Sequence, residues 1–478
     1  MRTHVCAAMF LFAVGVPAIA PPVVLAQAAP TGDPFQVRSL VLKAEDVALW
    51  PPGTRGTSLL AAIAPPEAQP RQAGREVTVE DLQRLALERN VDLLAVREDI
   101  AVARGLLTQT RLRPNPGLDV TLGTGRPLGS PGEREIEIGY AHTFEMGGKR
   151  ARRIDVGRVG VEIAELQIAD RERLLIADVK MRYAEALAAG RNLEMLAELS
   201  ELTDRASRVA QQRVSEGEAA PVERALLQVE AGRLRADRLL AASAGARAVA
   251  GLKLVTGLDN NELLALRGEL CAPTVALSLE DAIAKALRER PDLKVARAEE
   301  ARADAELRLE HAERVPDVIG VARYARIDSQ FPQFGTTSSG QLAPLRDTDH
   351  VLTLGVSIPL PFANRNQGNI ETAMARRQSA ALRREFLEQS VRTEVTAAYT
   401  QYVAALQALE AFGQDVVNQS QESIKIIRTS YDLGEVQLLD LLQEQRRLVD
   451  TQKAYTDILK EHYVARAALE AALSAELR

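Results

Sequence analysis

The sequence is poor in aromatic residues, which make up 4 % of its 478 residues and include a single Trp. Large aromatic side chains supply much of the apolar bulk of compact cores, so a large globular interior is disfavoured. Charged residues make up 26 %, and Ala, Leu, Glu and Arg dominate long stretches. This composition is typical of extended helices that pack against each other, although composition alone leaves an all-α enzyme open.

Cysteine is nearly absent, with Cys6 and Cys271 as the two examples. Cys6 lies in a segment with the features of a secretory signal, residues 1–28, which has a polar start, an apolar stretch and small residues at Ala26 and Ala28. We expect cleavage after one of these alanines. Cys271 would then stand alone, which excludes a disulfide framework and a cysteine-based metal site.

Neither sign of charge dominates, because the sequence has 59 Lys and Arg and 65 Asp and Glu, which gives a net charge of −6. Nothing in this balance indicates a nucleic-acid partner. Beyond the signal we find no run of about 18 apolar residues, so no membrane-spanning helix is expected. An exported chain of this kind is either soluble or a β-barrel. Residues 29–76 are rich in proline and are interpreted as an N-terminal arm.

The chain contains an internal duplication. Residues 79–82 (VEDL) recur as 279–282 (LEDA), and 92–93 (DL) recur as 292–293. Chance similarity between Ala- and Glu-rich helices is the alternative, but the matching order of elements favours duplication. We therefore divide the chain into a first structural repeat, 77–270, and a second, 271–478.

Each repeat is predicted to begin with an amphipathic helix, over 79–112 and 279–314, that ends before a proline. Two alternating strands follow, near 117–144 and near 318–358, with a longer loop near 327–349 in the second repeat. Apolar-out, polar-in segments of about ten residues are the signature of strands in outer-membrane barrels. A hairpin in a soluble sheet is the alternative interpretation.

Two very long helices come next, because proline is absent from 149–214 and from 369–431. Each stretch would reach roughly 100 Å. Apolar residues at sevenfold spacing predict packing along a partner helix. The clearest such series is Val395, Tyr402, Leu409 and Val416. Gly217 and Gly434 are expected at the hairpin turns, followed in the first repeat by Pro221 in the first turn of the returning helix.

Four strands are too few to close a barrel, for which about eight is the minimum. An open sheet edge in lipid leaves backbone groups unsatisfied, so several copies must share one barrel. Two copies would give a tightly filled barrel and three would leave a pore. With long helices stacked below it, the assembly would form a tube, and its function would be that of a conduit.

This doubled plan resembles the TolC-like outer-membrane efflux proteins over about residues 77–474. The segment 431–446, with YDLG at 431–434 and LLDLL at 438–442, resembles the second tip of that family. The resemblance implies a mainly α fold with a small transmembrane β part, in which a homotrimer forms a 12-strand β-barrel on a long α-helical periplasmic barrel. It also implies a place in the outer membrane of a Gram-negative bacterium, in contact with its lipid and extending into the periplasm. The implied partners are a periplasmic adaptor and an inner-membrane pump of the RND type.

Two further segments resemble the CzcC-like heavy-metal branch, 143–150 (TFEMGGKR) and 359–370 (PLPFANRNQGNI). Both lie where a strand gives way to a long helix at the expected membrane boundary. We expect the glycines to relieve a tight bend and the basic residues to lie at the headgroup level. The residues singled out are Gly147, Gly148, Lys149, Arg150, Asn364, Arg365, Asn366 and Gly368. The implied cargo is heavy-metal cations of the cobalt, zinc, cadmium or copper, silver type, with multidrug efflux or type I secretion as the alternative.

The family resemblance also implies a periplasmic gate. An aspartate that narrows the mouth matches Asp440, and a tyrosine of the closing network matches Tyr431. The family's arginine and second aspartate are replaced by Val436 and Gln443. The alternative is that Asp440 is a solvent-exposed helix residue with no role in a gate. The tips that would contact the adaptor are marked by Gly217, Glu218, Gly434 and Glu435.

Proteins of other classes remain as alternatives. An enzyme is disfavoured because the sequence contains no nucleophile elbow, phosphate loop or paired-histidine motif. A periplasmic coiled-coil adaptor is disfavoured because it would have one helical hairpin rather than two. The histidines are scattered, so we expect no metal site and no cofactor; those considered are His142, His311, His350 and His462.

Overall fold

A computed structural model describes residues 75–124, 134–217, 220–270, 277–433 and 435–475. Several predictions concern residues outside these ranges and stay predictions. They are the signal 1–28 with Cys6, nearly all of the arm 29–76, Cys271, Glu218 and Gly434.

The chain is mainly helical, as expected, and its described elements follow one order twice. The first series is β1 (Arg75–Val77), α1 (Val79–Arg89), α2 (Val91–Arg111), β2 (Gly117–Thr124), β3 (Arg134–Phe144), α3 (Lys149–Ser215) and α4 (Pro221–Thr256). The second is β4 (Leu264–Leu266), α5 (Leu279–Glu289), α6 (Pro291–Glu313), β5 (Val318–Thr336), β6 (Leu342–Ser357), α7 (Gln367–Asp432) and α8 (Leu438–Leu473). The exact domain boundaries stay a prediction.

The first helix of each series is broken in two, so the expectation of single helices over 79–112 and 279–314 was wrong. Asn90 has an extended backbone, and its side chain accepts a hydrogen bond from Leu93 N at 2.9 Å, which caps α2. In the second series Pro291 stands in the first turn of α6, where its missing N–H costs nothing.

A short parallel pair of strands joins the two series and was not predicted. Arg75 pairs with Leu264 and Val77 with Leu266. Val77 is buried in a core formed with α1, α3 and α4. Strands of three residues are too short to show an alternating pattern, so the sequence carried no signal for them.

The four long strands form one antiparallel sheet in the order β2-β3-β5-β6. One row across the sheet joins Val120 to Ile138, Ile138 to Tyr324 and Tyr324 to Leu352. Paired residues share a face, so this face is apolar across all four strands, and Leu352 on it is 70 % exposed. The next row contains Glu137, and the opposite face is correspondingly more polar.

The longer loop expected near 327–349 is largely strand instead. β5 has 19 residues and β6 has 16, compared with 8 in β2 and 11 in β3. The pairing shifts register between Gln330 and Phe334, and the turn passes through Gly340 at φ 78°. The additional residues therefore lengthen the hairpin.

The helices lie side by side in two rows. Beside the strands the packing order is α2–α3–α6–α7, and towards the hairpin turns it is α4–α3–α8–α7. In both rows the outermost helices have a neighbour from their own chain on one side. The open edges are thus α2 and α4 from the first repeat and α7 from the second, matching β2 and β6 in the sheet.

The sevenfold stripe on α7 is correct as far as Leu409, which packs against a buried cluster, and then shifts by one residue. Val395 and Tyr402 are buried, but Val417 is 5 % exposed whereas the predicted Val416 is 39 % exposed. Gly413 lies between them with non-helical angles, φ 56° and ψ 159°. Because this single residue leaves the helix, the buried face beyond it moves to the next position.

Among the described helices, Pro221–Thr256 is long and apolar enough by composition to cross a membrane. The expectation that no helix spans the membrane stays a prediction. The apolar character of this helix comes mainly from Ala, Leu and Val rather than from one continuous apolar run. Length and composition are the whole basis of this finding, and the helix packs along α3.

Candidate functional site

The first strand-to-helix junction turns on two glycines. Gly147 and Gly148 have φ 67° and 71°, and Gly148 is the N-cap of α3. A side chain at Gly147 would meet Val315 Cβ at 2.9 Å and the Ala312 carbonyl at 3.0 Å. Glycine is therefore required at Gly147 both for its backbone angle and for lack of space.

Lys149 follows these glycines and is buried. Its Nζ lies 3.0 Å from Asp317 Oδ1 and 3.2 Å from Glu313 Oε2. Burial lowers the pKa of Lys149, but the hydrogen bonds and charges of these carboxylates outweigh burial and the pKa is raised. Its ammonium joins α3 to the segment at the end of α6, and its place at the headgroup level stays a prediction. Arg150 also has an internal contact, since its Nε donates to the Arg111 carbonyl at 2.7 Å.

Replacing Lys149 by Met should lower the free energy of unfolding by about 1–3 kcal/mol, since the partly exposed carboxylates Glu313 and Asp317 lose the buried ammonium that links them. The raised pKa fixes the pH dependence. The stabilisation is fully present below the ordinary pKa near 10.5 and is lost as pH rises through the folded value. The difference in unfolding free energy between wild type and Lys149→Met should thus be constant from neutral to mildly alkaline pH and should shrink in strong alkali.

Thermal unfolding in detergent across that pH range measures this effect. Lys425→Met is the matched control, because the Lys425–Glu422 pair is exposed and should contribute less than about 1 kcal/mol. Equal melting of wild type and Lys149→Met at neutral pH would contradict the assignment.

The second junction uses an asparagine where the first uses glycine. Asn366 has φ 61° and is the N-cap of α7. Its Nδ2 donates to Glu310 Oε2 at 2.7 Å, and its backbone N–H donates to Asn364 Oδ1 at 3.0 Å. Gly368 lies inside the first turn of α7 and is not among the residues with positive φ. The bend expected at Gly368 was therefore misplaced by two residues.

Both junctions are held by the same short segment, residues 310–317, which includes the end of α6 and the residues before β5. Glu310 binds Asn366, whereas Glu313 and Asp317 bind Lys149. In both repeats the connection from the strands to the long helix is therefore held by contacts with the same segment.

The three predicted gate residues lie at the end of the second hairpin, Tyr431 on α7 and Asp440 and Gln443 on α8. Asp440 is exposed and forms a capping box with Gln437, accepting from Gln437 N–H at 3.2 Å. Gln443, three positions on, is also exposed. Tyr431 is half-buried against a cluster from both hairpins. Asp440 therefore has a local structural role, and its role in gating stays a proposal.

The hairpin ends include Gly217, whose φ of 80° gives the left-handed turn after α3. Pro221 is in the first turn of α4, as predicted. On the second hairpin Glu435 is exposed, and its N–H donates to the Ser430 carbonyl at 2.9 Å. Contact of these ends with an adaptor stays a proposal.

An ion pair that joins the two hairpins, between a buried glutamate and a half-exposed arginine, was missed in the sequence. Glu230 of α4 has a side chain that is 5 % exposed, and Arg446 Nη2 of α8 lies 2.7 Å from its Oε2. The hydrogen bond to Glu230 raises the pKa of Arg446. The sequence feature that could have indicated it is the position of Glu230 among Leu227, Ala231 and Leu234 on the buried face of α4.

Within the described parts of the chain no three metal-ligating side chains come together. His350 Nδ1 instead lies 2.6 Å from the Tyr324 hydroxyl on the sheet. His462 is fully buried beside Tyr402, and burial lowers its pKa.

A four-strand sheet with one apolar face, carried on two long helical hairpins, is the architecture of an outer-membrane efflux channel protein. The chain belongs to the outer membrane efflux protein family, whose model matches residues 82–258 and 282–475. Its location is therefore the outer membrane, with the helices extending into the periplasm. Channels of this family work with an adaptor and an inner-membrane pump.

Two curated relatives are heavy-metal resistance proteins of Cupriavidus metallidurans. The cobalt-zinc-cadmium resistance protein CzcC is 24 % identical over 412 residues, covering 86 % of this chain and 91 % of its own. The nickel and cobalt resistance protein CnrC is 26 % identical over 320 residues, covering 64 % and 70 %. The resemblance to the CzcC-like branch is thus confirmed.

The fold is shared with the solved channel CusC at a TM-score of 0.66. Sequence identity is 19 %, and the match covers 84 % of this chain and 93 % of CusC. Membership of an efflux-protein family disfavours the enzyme and adaptor alternatives.

Proposed function

We propose that three copies of the chain form one passive exit duct for heavy-metal cations, served by a periplasmic adaptor and an RND-type pump. The observation that carries the proposal is the pair of open sheet edges, β2 and β6. In lipid an open edge leaves backbone groups without partners. In a meander of four antiparallel strands, β6 of one copy runs antiparallel to β2 of the next. Three copies then close a barrel of twelve strands.

The helical edges support the same closure. On α2 the side turned away from α3 exposes Leu94, Val102 and Leu106. On α7 the side turned away from the buried Val391 and Val395 exposes Leu382 and Phe386. Each edge has apolar residues four positions apart, as expected of helix faces that pack against another helix. The first-repeat edge of one copy would thus meet the second-repeat edge of its neighbour.

The cationic cargo is supported by the relatives' names and by the polar face of the sheet. Asp119 pairs with Gly139 and Thr121 with Glu137, so both carboxylates share this face with Arg323. Arg323 Nε lies 3.6 Å from Glu137 Oε1 and offsets one of these charges. A pore with excess carboxylate attracts cations and repels anions.

Deletion of the gene tests the cargo. We expect the deletion strain to become more sensitive to cobalt, zinc and cadmium, and complementation to restore growth. Increased sensitivity to organic drugs with unchanged metal tolerance would contradict the metal assignment and favour multidrug efflux.

The gate proposal predicts that Asp440→Asn lowers cation selectivity, because a ring of three carboxylates becomes neutral. Asparagine can still accept the capping hydrogen bond, so the helix end should be preserved. Asp440→Ala removes both the charge and the cap, and should additionally lower stability by about 1 kcal/mol. Single-channel recordings in planar bilayers measure selectivity, and unchanged values for Asp440→Asn would refute a constriction at this residue.

A further inference from the structure

A cavity of about 620 Å³ lies between the end of α6, the segment after β6 and the start of α7. Arg314 and Arg365 line it, together with His311, Glu371 and Phe362. Neither guanidinium makes an ion pair or side-chain hydrogen bond to another described residue. The two fixed positive charges exceed the one carboxylate, so an anion is favoured there.

An apolar track leads directly from the sheet to this cavity. Every second residue from Leu352 to Phe362 is apolar and exposed, with Phe362 at 79 %. The members of the track are Leu352, Leu354, Val356, Ile358, Leu360 and Phe362. The first three are on the apolar face of β6, and the last one lines the cavity.

We propose that this cavity binds the phosphate of a phospholipid from the periplasmic leaflet, with the acyl chains along the apolar track. The inference rests on the proposed insertion of the sheet in the outer membrane. Arginine pairs well with phosphate because its planar group donates two parallel hydrogen bonds. A basic pocket beside an apolar surface at a membrane boundary has the chemistry of a headgroup site. The track favours a lipid rather than free phosphate as the occupant, because a lipid whose acyl chains lie along the track has its phosphate beside the cavity.

Native mass spectrometry of the full-length protein in detergent, titrated with phosphatidylglycerol, tests this site. Arg365→Gln and Arg314→Gln should each weaken lipid retention about tenfold, the loss expected for one charge-assisted hydrogen bond. Arg365→Lys should retain part of the binding. Arg376→Gln is the matched control, because Arg376 is an exposed arginine of α7 outside the cavity; its retention should equal that of wild type.

Two outcomes would overturn the proposal. One is equal lipid retention by wild type and both glutamine variants. The other is displacement of the lipid by inorganic phosphate, which would make free phosphate the ligand. Should one variant fail to fold, the other and Arg365→Lys still decide the result.

The same preparations are recorded as channels in planar bilayers. Normal conductance with unchanged lipid retention in the variants would reject the lipid site alone. Absence of channels in wild type would reject the proposed function itself.

Discussion

Phe386→Glu should leave the protein as single chains in detergent. Phe386 is 72 % exposed on the open edge of α7, and the proposed closure would bury it against the next copy. A buried carboxylate without a partner costs several kcal/mol by rough estimate, and the cost recurs at each of the three interfaces. Light scattering coupled to size exclusion measures the mass. Phe386→Leu, which stays apolar, should remain assembled.

Head-to-tail closure makes a sharper prediction for a pair of variants. Leu106→Glu on the opposite edge should also prevent assembly. Each variant keeps the edge that the other lacks, so mixing them should restore one interface and give dimers but no closed ring. A Phe386→Glu protein that runs as a full trimer, or a mixture that yields no dimers, would argue against these edges.

Gly147→Ala should be the most destabilising single methyl addition at the first junction. The left-handed backbone costs alanine about 1–2 kcal/mol, and the contacts with Val315 and the Ala312 carbonyl add about 1–3 kcal/mol. Because those contacts come from the segment that also binds Lys149 and Asn366, both junctions should loosen together.

Gly148→Ala is the matched control. Gly148 has almost the same φ, but a side chain there would meet nothing within 4 Å. Its cost should therefore be limited to about 1–2 kcal/mol from the backbone angle. Thermal dissociation of the two variants in detergent separates the steric effect from the conformational one. Equal losses in both would show that the close approach at Gly147 is unimportant.

Some residues of the candidate site could be recognised from their neighbours in the sequence, whereas others acquire their role through contacts with distant parts of the chain. Gly147 and Gly148 were recognisable because a strand pattern ends and a helix pattern begins beside them. Nothing near Lys149 in the sequence indicated burial, since its partners Glu313 and Asp317 come from the other repeat. Arg365 and Arg314 are likewise distant in sequence, and the fold places them around one cavity.

By itself the sequence determined the alternating strands, the long helices, their duplication and the turn at Gly217. These features depend on periodicity and on backbone preferences within a few residues. Tertiary structure alone decided the break at Asn90, the pairing of β1 with β4, the shifted stripe after Gly413 and the burial of Lys149. Each of these features depends on a contact between distant residues or on the backbone angles of one residue. Such contacts and angles produce no periodic pattern in the sequence.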